Sequence, residues 1–350
     1  MNRFESAITF LKNIKPTDGV VVVFHNDGDG ISSCTLIRKW LAHIGVEPYI
    51  ISQPMPPDKN LIRRIQTGLP DKIIFVDLAI DQQPTVLKKL KGIASILIID
   101  HHIISHDMSE EGISHYNPRF EEPRRYQSAS YITYKIISRL MDVSEWLWVA
   151  ALGAVSDYDL SASQDLIKEA QKLWTIEMFN KIAAMVESMR ATKLMSADQM
   201  VELMNNSKEP KQLLEAPDFR QSYEKIQTEL EATLLDAQAS AEKVGDIVFY
   251  KIKSKYNLKS PVSTKLSEKW PEKFIVVYEQ IDKYINASVR NQAKRLNVDK
   301  ILRAAARGIR GCSAGGHEAA GAAQMLEKDW PEFKQNLIQI VDRFKETPKK

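Results

Sequence analysis

Short apolar runs alternate with longer segments of helical composition along the first half of the chain. Residues 20–25, 48–52, 72–77 and 95–100 are almost continuously apolar, which predicts strands of a parallel sheet buried on both faces. The segments between them, residues 31–44, 59–67 and 84–91, predict helices, and two more helices are expected at 128–141 and 144–155. This order indicates an α/β fold with a doubly wound, mainly parallel sheet.

The pattern changes in the second half of the chain. Strand signals vanish between residues 163 and 243, and a long helix is expected at 222–242. Residues 246–253, 272–280 and 284–290 then predict strands, and helices are expected at 298–307, at 318–326 and from Pro331 onwards. We therefore expect an α/β domain at 1–162, a helical connector at 163–244 and a smaller α/β C-terminal domain at 245–350.

Composition narrows the class of protein. The chain has 350 residues, of which 44% are hydrophobic and 27% are charged, as in globular proteins that bury a core. Only Cys34 and Cys312 are present, which excludes a disulfide framework and fits a reducing compartment. The apolar runs are too short to span a bilayer and the N-terminus lacks the features of a signal peptide, so we expect a cytoplasmic protein with no membrane partner.

Charge is unevenly distributed along the chain. The net charge is +3, but residues 246–310 contain 15 Lys or Arg and 6 Asp or Glu, a local net charge of +9. A separate basic domain is typical of proteins that bind polyanions. A solvated lysine-rich surface would give the same count, so the charge by itself leaves both interpretations open.

Four polar clusters lie where predicted elements end. They are residues 25–30 (HNDGDG) after the first strand, Asp77 after the third, residues 100–102 (DHH) after the fourth, and Asp157 after an apolar helix. Sites in open α/β sheets form outside the carboxyl ends of the strands. The fold is therefore expected to bring these clusters together, although they span about 130 residues.

The residue types in these clusters predict a pair of divalent metal ions. Carboxylates and imidazoles bind Mn²⁺, Mg²⁺ or Zn²⁺, and their number exceeds the needs of one tetrahedral ion. Two ions about 3.5–4 Å apart can bind the attacking and leaving oxygens of a phosphoryl displacement, and metal binding lowers the pKa of water from about 15.7 towards 7. Gly28 and Gly30 are expected to let the backbone turn sharply and approach a phosphate closely.

Each cluster taken alone is weak evidence for a metal site, because a carboxylate after a strand is often only a helix cap. Asp81 and Asp159 lie a few residues beyond the motif aspartates and are interpreted as capping or loop residues. The remaining histidines follow no pattern and are interpreted as surface or packing residues: His43, His106 and His115.

The clusters, in this order, resemble the motifs of the DHH phosphoesterase superfamily. HxDxDG matches residues 25–30, the strand-end aspartate is Asp77, DHH matches 100–102 and GxxxD matches 153–157. Residues 314–321 (AGGHEAAG) resemble the GGGHxxAxG motif of the DHH-associated C-terminal domain, with Ala314 in place of the first glycine. Residues 288–290 resemble the Ser-x-Arg strand that accompanies it.

This resemblance implies roles for the motif residues. It assigns the ligands of two Mn²⁺ ions, or alternatively Mg²⁺, to two sets that share Asp77: His25, Asp27 and Asp77, and Asp29, Asp77, His101 and Asp157. His102 would lie beside the scissile phosphate, and Asp100 would support the loop or orient a ligand histidine. The substrate's terminal phosphate or nucleotide would be held by a turn that opens a helix together with an arginine: Gly315, Gly316, His317 and Arg290.

Several kinds of function remain open within the superfamily. A RecJ-like exonuclease, which releases mononucleotides from single-stranded DNA or RNA by two-metal hydrolysis, is favoured by the HxDxDG form and by the basic domain, because a long strand offers many phosphate contacts. A nanoRNase-like oligoribonuclease or phosphoadenosine-phosphate phosphatase, acting on short oligonucleotides, is the alternative. A RecJ-like replication scaffold that binds GINS or another replication or repair protein belongs to a different class, and the intact ligand set argues against an inactive one.

Overall fold

Five parallel strands form the first sheet of this protein, for which a computed structural model describes residues 2–110, 112–293 and 296–346. The strands are β1 (Val20–His25), β2 (Tyr49–Gln53), β3 (Lys72–Val76), β4 (Ser95–Ile99) and β5 (Ile113–Tyr116). Their order is β2-β1-β3-β4-β5, and every neighbouring pair is parallel. The predicted α/β class with a doubly wound parallel sheet is confirmed, and β5 was missed from the sequence.

Alternate strand residues enter two separate apolar layers, because successive side chains of a strand point to opposite faces. Val22 and Phe24 belong to one layer, whereas Val21 and Val23 belong to the other. The second layer is covered by α3 (Leu61–Thr67) and α4 (Pro84–Lys91). The first and larger layer is covered by α1 (Arg3–Lys12), α2 (Gly28–His43), α5 (Ala129–Ile137) and α6 (Leu147–Ser156).

Helices dominate after residue 163, as expected. They are α7 (Gln164–Ala170), α8 (Ile176–Thr192), α9 (Ala197–Asn206), α10 (Lys211–Glu215) and α11 (Pro217–Ser240). Buried residues of α7, α8, α9 and α10 belong to the larger apolar layer of the first sheet. The chain divides into two compact units, Met1–Tyr223 and Glu224–Lys350, so the division falls within α11.

The second unit contains a six-stranded sheet. Its strands are β6 (Glu242–Val244), β7 (Ile247–Lys251), β8 (Phe274–Ile281), β9 (Tyr284–Arg290), β10 (Ser313–Gly316) and β11 (Ala320–Leu326). Their order is β10-β11-β9-β8-β7-β6; β7 and β8 are parallel, and the other four neighbouring pairs of these strands are antiparallel. Its helices are α12 (Lys259–Lys269), α13 (Val298–Ala305) and α14 (Trp330–Glu346).

Two sequence-based expectations fail in this unit. The helix expected at 318–326 is wrong, because this segment forms strand β11 and pairs with β9 along its whole length. Helix α12 was not predicted at all. Within the described part of the chain, no helix combines the length and the apolar character needed to cross a membrane.

Candidate metal centre

The order of the first sheet creates a switch point between β1 and β3. The chain leaves β1 towards β2 on one side and later returns to form β3 on the other side. Ligands of open α/β sheets bind at such a point, outside the carboxyl ends of the strands. His25 is the last residue of β1, Asp77 directly follows β3, and His101 follows β4 by two residues. Three of the predicted clusters therefore meet at one edge of the sheet.

Asp77 contacts both of the ligand sets that were expected. In the first set, His25 Nδ1 lies 2.6 Å from Asp27 Oδ2 and 3.6 Å from Asp77 Oδ2. His101 Nε2 lies 3.1 Å from Asp77 Oδ1, and His101 Nδ1 lies 3.6 Å from Asp157 Oδ2. Within each set of three, ligand atoms lie within 4.8 Å of one another: His25, Asp27 and Asp77; Asp29, His101 and Asp157.

These side chains fit a divalent metal ion. His101 Nδ1 and Asp77 Oδ2 are buried, and neither has a hydrogen-bond partner in the described structure. A buried polar group without a partner costs about 1–3 kcal/mol. Coordination of a divalent ion would satisfy both atoms, and imidazole and carboxylate are both metal ligands. Ligand atoms of His102, Asp77 and His101 also lie within 4.8 Å of one another.

The backbone at Asp77 adopts an uncommon conformation. Its φ of 57° lies in the left-handed region, which few non-glycine residues adopt. The Asp77 N–H donates to the carbonyl of Ile99 on the neighbouring strand (3.0 Å), and its side chain is almost completely buried. Backbone strain of this kind persists where the surroundings hold it in place, often at functional sites.

Asp29 is held by the N-terminus of α5. Its two carboxylate oxygens accept hydrogen bonds from the backbone amides of Ala129 (2.7 Å) and Ser130 (2.9 Å). Burial, followed by the negative charge of Asp77, raises the pKa of Asp29 well above its usual value. Burial also raises the pKa of Asp157 to about 6. Both groups therefore carry less negative charge in the metal-free protein than exposed aspartates do.

The two histidines respond in the opposite way. Burial alone would lower the pKa of His25 and His101, but close contacts with carboxylates outweigh it. Asp27 and Asp77 raise the pKa of His25 to about 10, and Asp77 does the same for His101. Both imidazoles are thus protonated at neutral pH without metal, so metal binding has to release protons.

His102 differs from the other two site histidines because 40% of its side chain is exposed. Its Nδ1 donates a 2.8 Å hydrogen bond to Asp100 Oδ1, and the Asp100 side chain is buried. Burial would raise the pKa of Asp100, but this bond and the nearby imidazoles lower it. Asp100 therefore orients His102, the histidine expected beside the phosphate, and not a histidine of the two expected ligand sets.

Two residues of the site were missed from the sequence. Tyr126 Oη donates to Asp157 Oδ2 (2.6 Å) and to the Asp157 carbonyl (3.1 Å). The centroids of the Tyr126 and His101 rings lie 5.3 Å apart. Arg119 Nε donates to the carbonyl of His101 (2.7 Å). Both residues lie between β5 and α5, in a segment without a motif or a regular hydrophobic period.

The residues set aside from the metal site behave as expected. Asp81 accepts backbone hydrogen bonds from Ser105 and His106, and Asp159 accepts them from Ser128 and Ala162. Both aspartates therefore act as loop or capping residues. In the described part of the chain, no candidate ligand group includes His43, His106 or His115.

The glycines of the first motif have a different purpose from the one expected. Neither Gly28 nor Gly30 has a positive φ, and both lie in the first turn of α2. A Cβ at Gly30 would lie 2.1 Å from the His25 carbonyl, and one at Gly28 would lie 2.3 Å from Ser156 Oγ. The expectation of a sharp turn is wrong. These positions require glycine because α2 begins in close contact with the end of β1 and with α6.

The four residues expected to bind substrate line one cavity in the second unit. This cavity has a volume of about 450 Å³, and its lining includes Arg290, Gly315, Gly316 and His317. Arg290 Nη2 donates to Ser260 Oγ (2.8 Å) and Nη1 donates to the Val289 carbonyl (3.0 Å). No carboxylate is among the described residues that line this cavity. A phosphate group suits such a site, because arginine can bind it through two parallel hydrogen bonds.

The glycines of this cavity belong to a β-hairpin. The expected turn that opens a helix is wrong, since β10 returns directly into β11. The Gly316 N–H donates to Asp299 Oδ1 (2.8 Å) and is therefore engaged within the protein. A Cβ at Gly316 would lie 2.4 Å from the Ala320 carbonyl, so the tight hairpin explains this glycine.

The fold and the metal groups define a class of protein: a doubly wound α/β protein with a candidate site for two divalent ions. Sequence comparison adds the family. Residues 19–154 match the DHH family, N-terminal domain, and residues 248–347 match the DHHA1 domain. The chain belongs to the DHH phosphoesterase superfamily and carries its DHH-associated C-terminal domain. A comparison with functionally characterised proteins found no match.

Several solved structures share this fold. RecJ from Thermus thermophilus in complex with Mn²⁺ has a TM-score of 0.72 at 17% identity, covering 98% of this chain and 55% of that one. An exonuclease RecJ bound to manganese has a TM-score of 0.68 at 18% identity, with 99% and 96% coverage. CDC45 from Entamoeba histolytica has a TM-score of 0.51 at 13% identity, with 95% and 98% coverage. The chain spans only about half of the Thermus protein, and these similarities concern the fold.

Proposed function

We propose that this protein is a metal-dependent, RecJ-like exonuclease that releases mononucleotides from single-stranded DNA or RNA. The observation that carries the proposal is the meeting of two carboxylate–imidazole sets at Asp77, at the carboxyl edge of a parallel sheet. Similarity of the fold to two RecJ structures solved with manganese supports it.

The ligand sets divide between two ions in this proposal. One Mn²⁺, or Mg²⁺, would be held by His25, Asp27 and Asp77, and the other by Asp29, Asp77, His101 and Asp157. Ions bound there supply a Lewis acid for the phosphate and a water molecule of lowered pKa. His102 would donate from Nε2 to the scissile phosphate, because its Nδ1 is already bound to Asp100.

The second unit would hold the substrate. Arg290 has three hydrogen bonds to neutral groups within 3.3 Å, and burial lowers its pKa without removing its charge. Since the described lining of the cavity around it contains no carboxylate, we propose that Arg290 and His317 bind a phosphate of the nucleic acid. Gly315 and Gly316 would allow close approach rather than provide the anion-binding end of a helix.

Hydrolysis of end-labelled strands tests the proposal. Oligonucleotides from two to about thirty nucleotides, as single-stranded DNA, single-stranded RNA and duplex, are incubated with Mn²⁺ or with EDTA at two salt concentrations. We expect mononucleotides from the long single strands with Mn²⁺ only, and a log–log salt slope of about −0.7 for each phosphate contact.

Other outcomes would identify other functions. A maximal rate at the dimer or trimer with little salt dependence would identify an oligonucleotide hydrolase of the nanoRNase kind. No hydrolysis of any substrate with Mn²⁺ would refute the exonuclease, and binding to GINS or another replication protein would then be the function to test.

A further inference from the structure

On the face opposite its apolar core, the sheet of the second unit is covered by α12 at Ser288, whose Oγ lies 3.0 Å from Ser263 Oγ, and is open next to this helix. On β9, Ile285, Ala287 and Val289 belong to the apolar core. Because strand side chains alternate, the residues between them face the opposite side. These are Tyr284, Asn286, Ser288 and Arg290. The candidate phosphate-binding arginine is therefore the last member of a row along β9.

A polar row crosses this open face from strand to strand. Asn286 is paired in register with Glu279 on β8 and with Gln324 on β11, and Gln324 is paired with Ser313 on β10. Gln324 Nε2 donates to Asn286 Oδ1 (2.7 Å). In the described structure no hydrogen bond engages Asn286 Nδ2 or Gln324 Oε1. The amide pair thus offers one donor group and one acceptor side by side.

A groove of about 810 Å³ lies over this row. Its walls are the loop at residues 254–259 and the turn between β8 and β9. It shares four lining residues with the cavity around Arg290: Asn257, Lys259, Ala287 and Ala322. The groove and the cavity are therefore adjoining parts of one continuous depression.

The two parts differ in chemistry. The groove is lined by two lysines and two carboxylates, of which Lys259 and Glu279 form a salt bridge, so its described lining has no net formal charge. It also contains two aromatic rings, Tyr256 and Tyr284, and the latter is 38% exposed. The cavity around Arg290 has no carboxylate among its described lining residues. A phosphate therefore suits the cavity, whereas a flat, neutral, hydrogen-bonding group suits the groove.

We propose that this groove binds unpaired bases of the nucleotides adjacent to the phosphate held at Arg290. The proposal rests on the proposed function, which makes the substrate a single strand. A base can stack on the Tyr284 ring only if it is unpaired. The side-chain amides of Asn286 and Gln324 offer the donor and the acceptor that the edge of such a base needs. Arg290 lies six positions after Tyr284 on β9. At about 3.4 Å per residue this is roughly 20 Å, which corresponds to at most about six stacked nucleotides.

Calorimetric binding to the whole 350-residue chain tests the groove. EDTA is present to prevent hydrolysis, and the ligands are adenosine monophosphate and deoxyadenylate oligonucleotides of two to eight nucleotides, phosphorylated at both ends. Tyr284→Ala should weaken hexanucleotide binding about 5- to 150-fold, the usual effect of losing one base–aromatic stack. It should leave monophosphate binding unchanged, and Tyr284→Phe should bind as the wild type does.

Two further variants provide controls. Arg290→Ala should weaken binding of the monophosphate and of every oligonucleotide, because all of them use the phosphate site. Tyr49→Ala removes a tyrosine of similar exposure (44%) on β2 of the first unit and should change none of the affinities. The wild-type affinity should rise with length and level off near six nucleotides.

Two results would overturn the proposal for the groove. Wild-type affinity of Tyr284→Ala for the hexanucleotide would show that no base stacks there. If Tyr284→Ala lost as much affinity for adenosine monophosphate as for the hexanucleotide, the groove would not be a separate site. If wild-type protein hydrolysed single strands while either result held, only the groove would be wrong; absence of both binding and hydrolysis would refute the proposed function itself.

Discussion

Replacing Asp77 by Asn removes one negative charge at the point where the two ligand sets meet. Asn is nearly the same size as Asp and is enriched among residues in the left-handed conformation that this position adopts. The Asp77 side chain attracts the imidazoles of His25 and His101, but it also repels the carboxylates of Asp29 and Asp157. Since these effects oppose each other, we expect the metal-free variant to lose less stability than the roughly 3–5 kcal/mol that removing one partner of a buried ion pair costs.

Metal binding should distinguish the two proteins. Each site that is bound only in the folded state stabilises it by about 2.7 kcal/mol when free metal is 100 times Kd. Two sites therefore give about 5 kcal/mol in the wild type. Asp77→Asn changes a proposed ligand of both sites, so we expect most of this increment, and all turnover, to be lost. The measurement is urea unfolding with Mn²⁺ and with EDTA, together with hydrolysis of a labelled single strand.

Asp81→Asn is the matched control for this variant. Asp81 is also buried and lies four residues further along, but its carboxylate accepts the backbone amides of Ser105 and His106. We expect this substitution to lower stability by about 1.5–3 kcal/mol, equally with Mn²⁺ and with EDTA, while turnover persists. If Mn²⁺ stabilised Asp77→Asn against urea as much as it stabilises the wild type, the shared role of Asp77 would be refuted.

Three other predictions follow from the structure. Arg290→Ala should lower kcat/KM on single strands by about 10- to 100-fold, as loss of a charged hydrogen bond does, while Mn²⁺-dependent stabilisation in urea unfolding stays unchanged. Burial lowers the pKa of His115 in the folded state, so the unfolded chain, with a His pKa of about 6.5, takes up the proton more readily and the folded state loses stability as the pH falls below that value. His115→Gln should therefore lose less stability between pH 7 and pH 5 in urea unfolding than the wild type does, and an equal loss would contradict this. A Cβ at Gly153 would lie 2.3 Å from Ser130 Oγ, so Gly153→Ala should lower the free energy of unfolding by about 1–3 kcal/mol in urea. Gly45→Ala is the comparison variant for backbone strain alone, because Gly45 has a positive φ and no atom within 4 Å of an added Cβ.

Most of the candidate metal residues could be predicted because their positions depend on short-range features. Three of the four motifs directly follow an apolar run of strand length, and the end of such a run predicts the end of a strand. The parallel order then places these ends at the same edge of the sheet. Asp100 shows the limit of this reasoning: the sequence identified it, but its choice of His102 over His101 depends on side-chain geometry.

Strand β11 could not be predicted from local preference. Four of its seven residues are Ala or Gly, and the alanines favour a helix in isolation. In the structure, small side chains are needed because a Cβ at Gly321 would lie 2.6 Å from Leu302 Cδ1 of α13. Pairing with β9 and contact with a helix therefore decide the conformation, and both are tertiary effects.

Tyr126 and Arg119 were missed for a related reason. Both reach the metal ligands from an irregular segment, through hydrogen bonds to Asp157 and to the carbonyl of His101. Such bonds depend on the path of the segment in space and leave no periodic pattern in the sequence. Ser260, which binds Arg290, was missed because it lies at the start of α12, next to Pro261, where a helix was not expected.

Asp157 reaches the candidate metal centre by a different route from the other candidate ligands. It caps the C-terminus of α6 instead of following a strand, so the sheet alone cannot place it. Gly153 lies one turn earlier on the same face of that helix, and a Cβ there would lie 2.8 Å from Ser32 Cβ of α2. The absence of a side chain at Gly153 lets α6 lie close to α2, the helix that carries Asp29. The GxxxD spacing therefore couples helix packing to ligand position: the glycine sets the distance between the helices, and the aspartate four residues later meets His101 as a result.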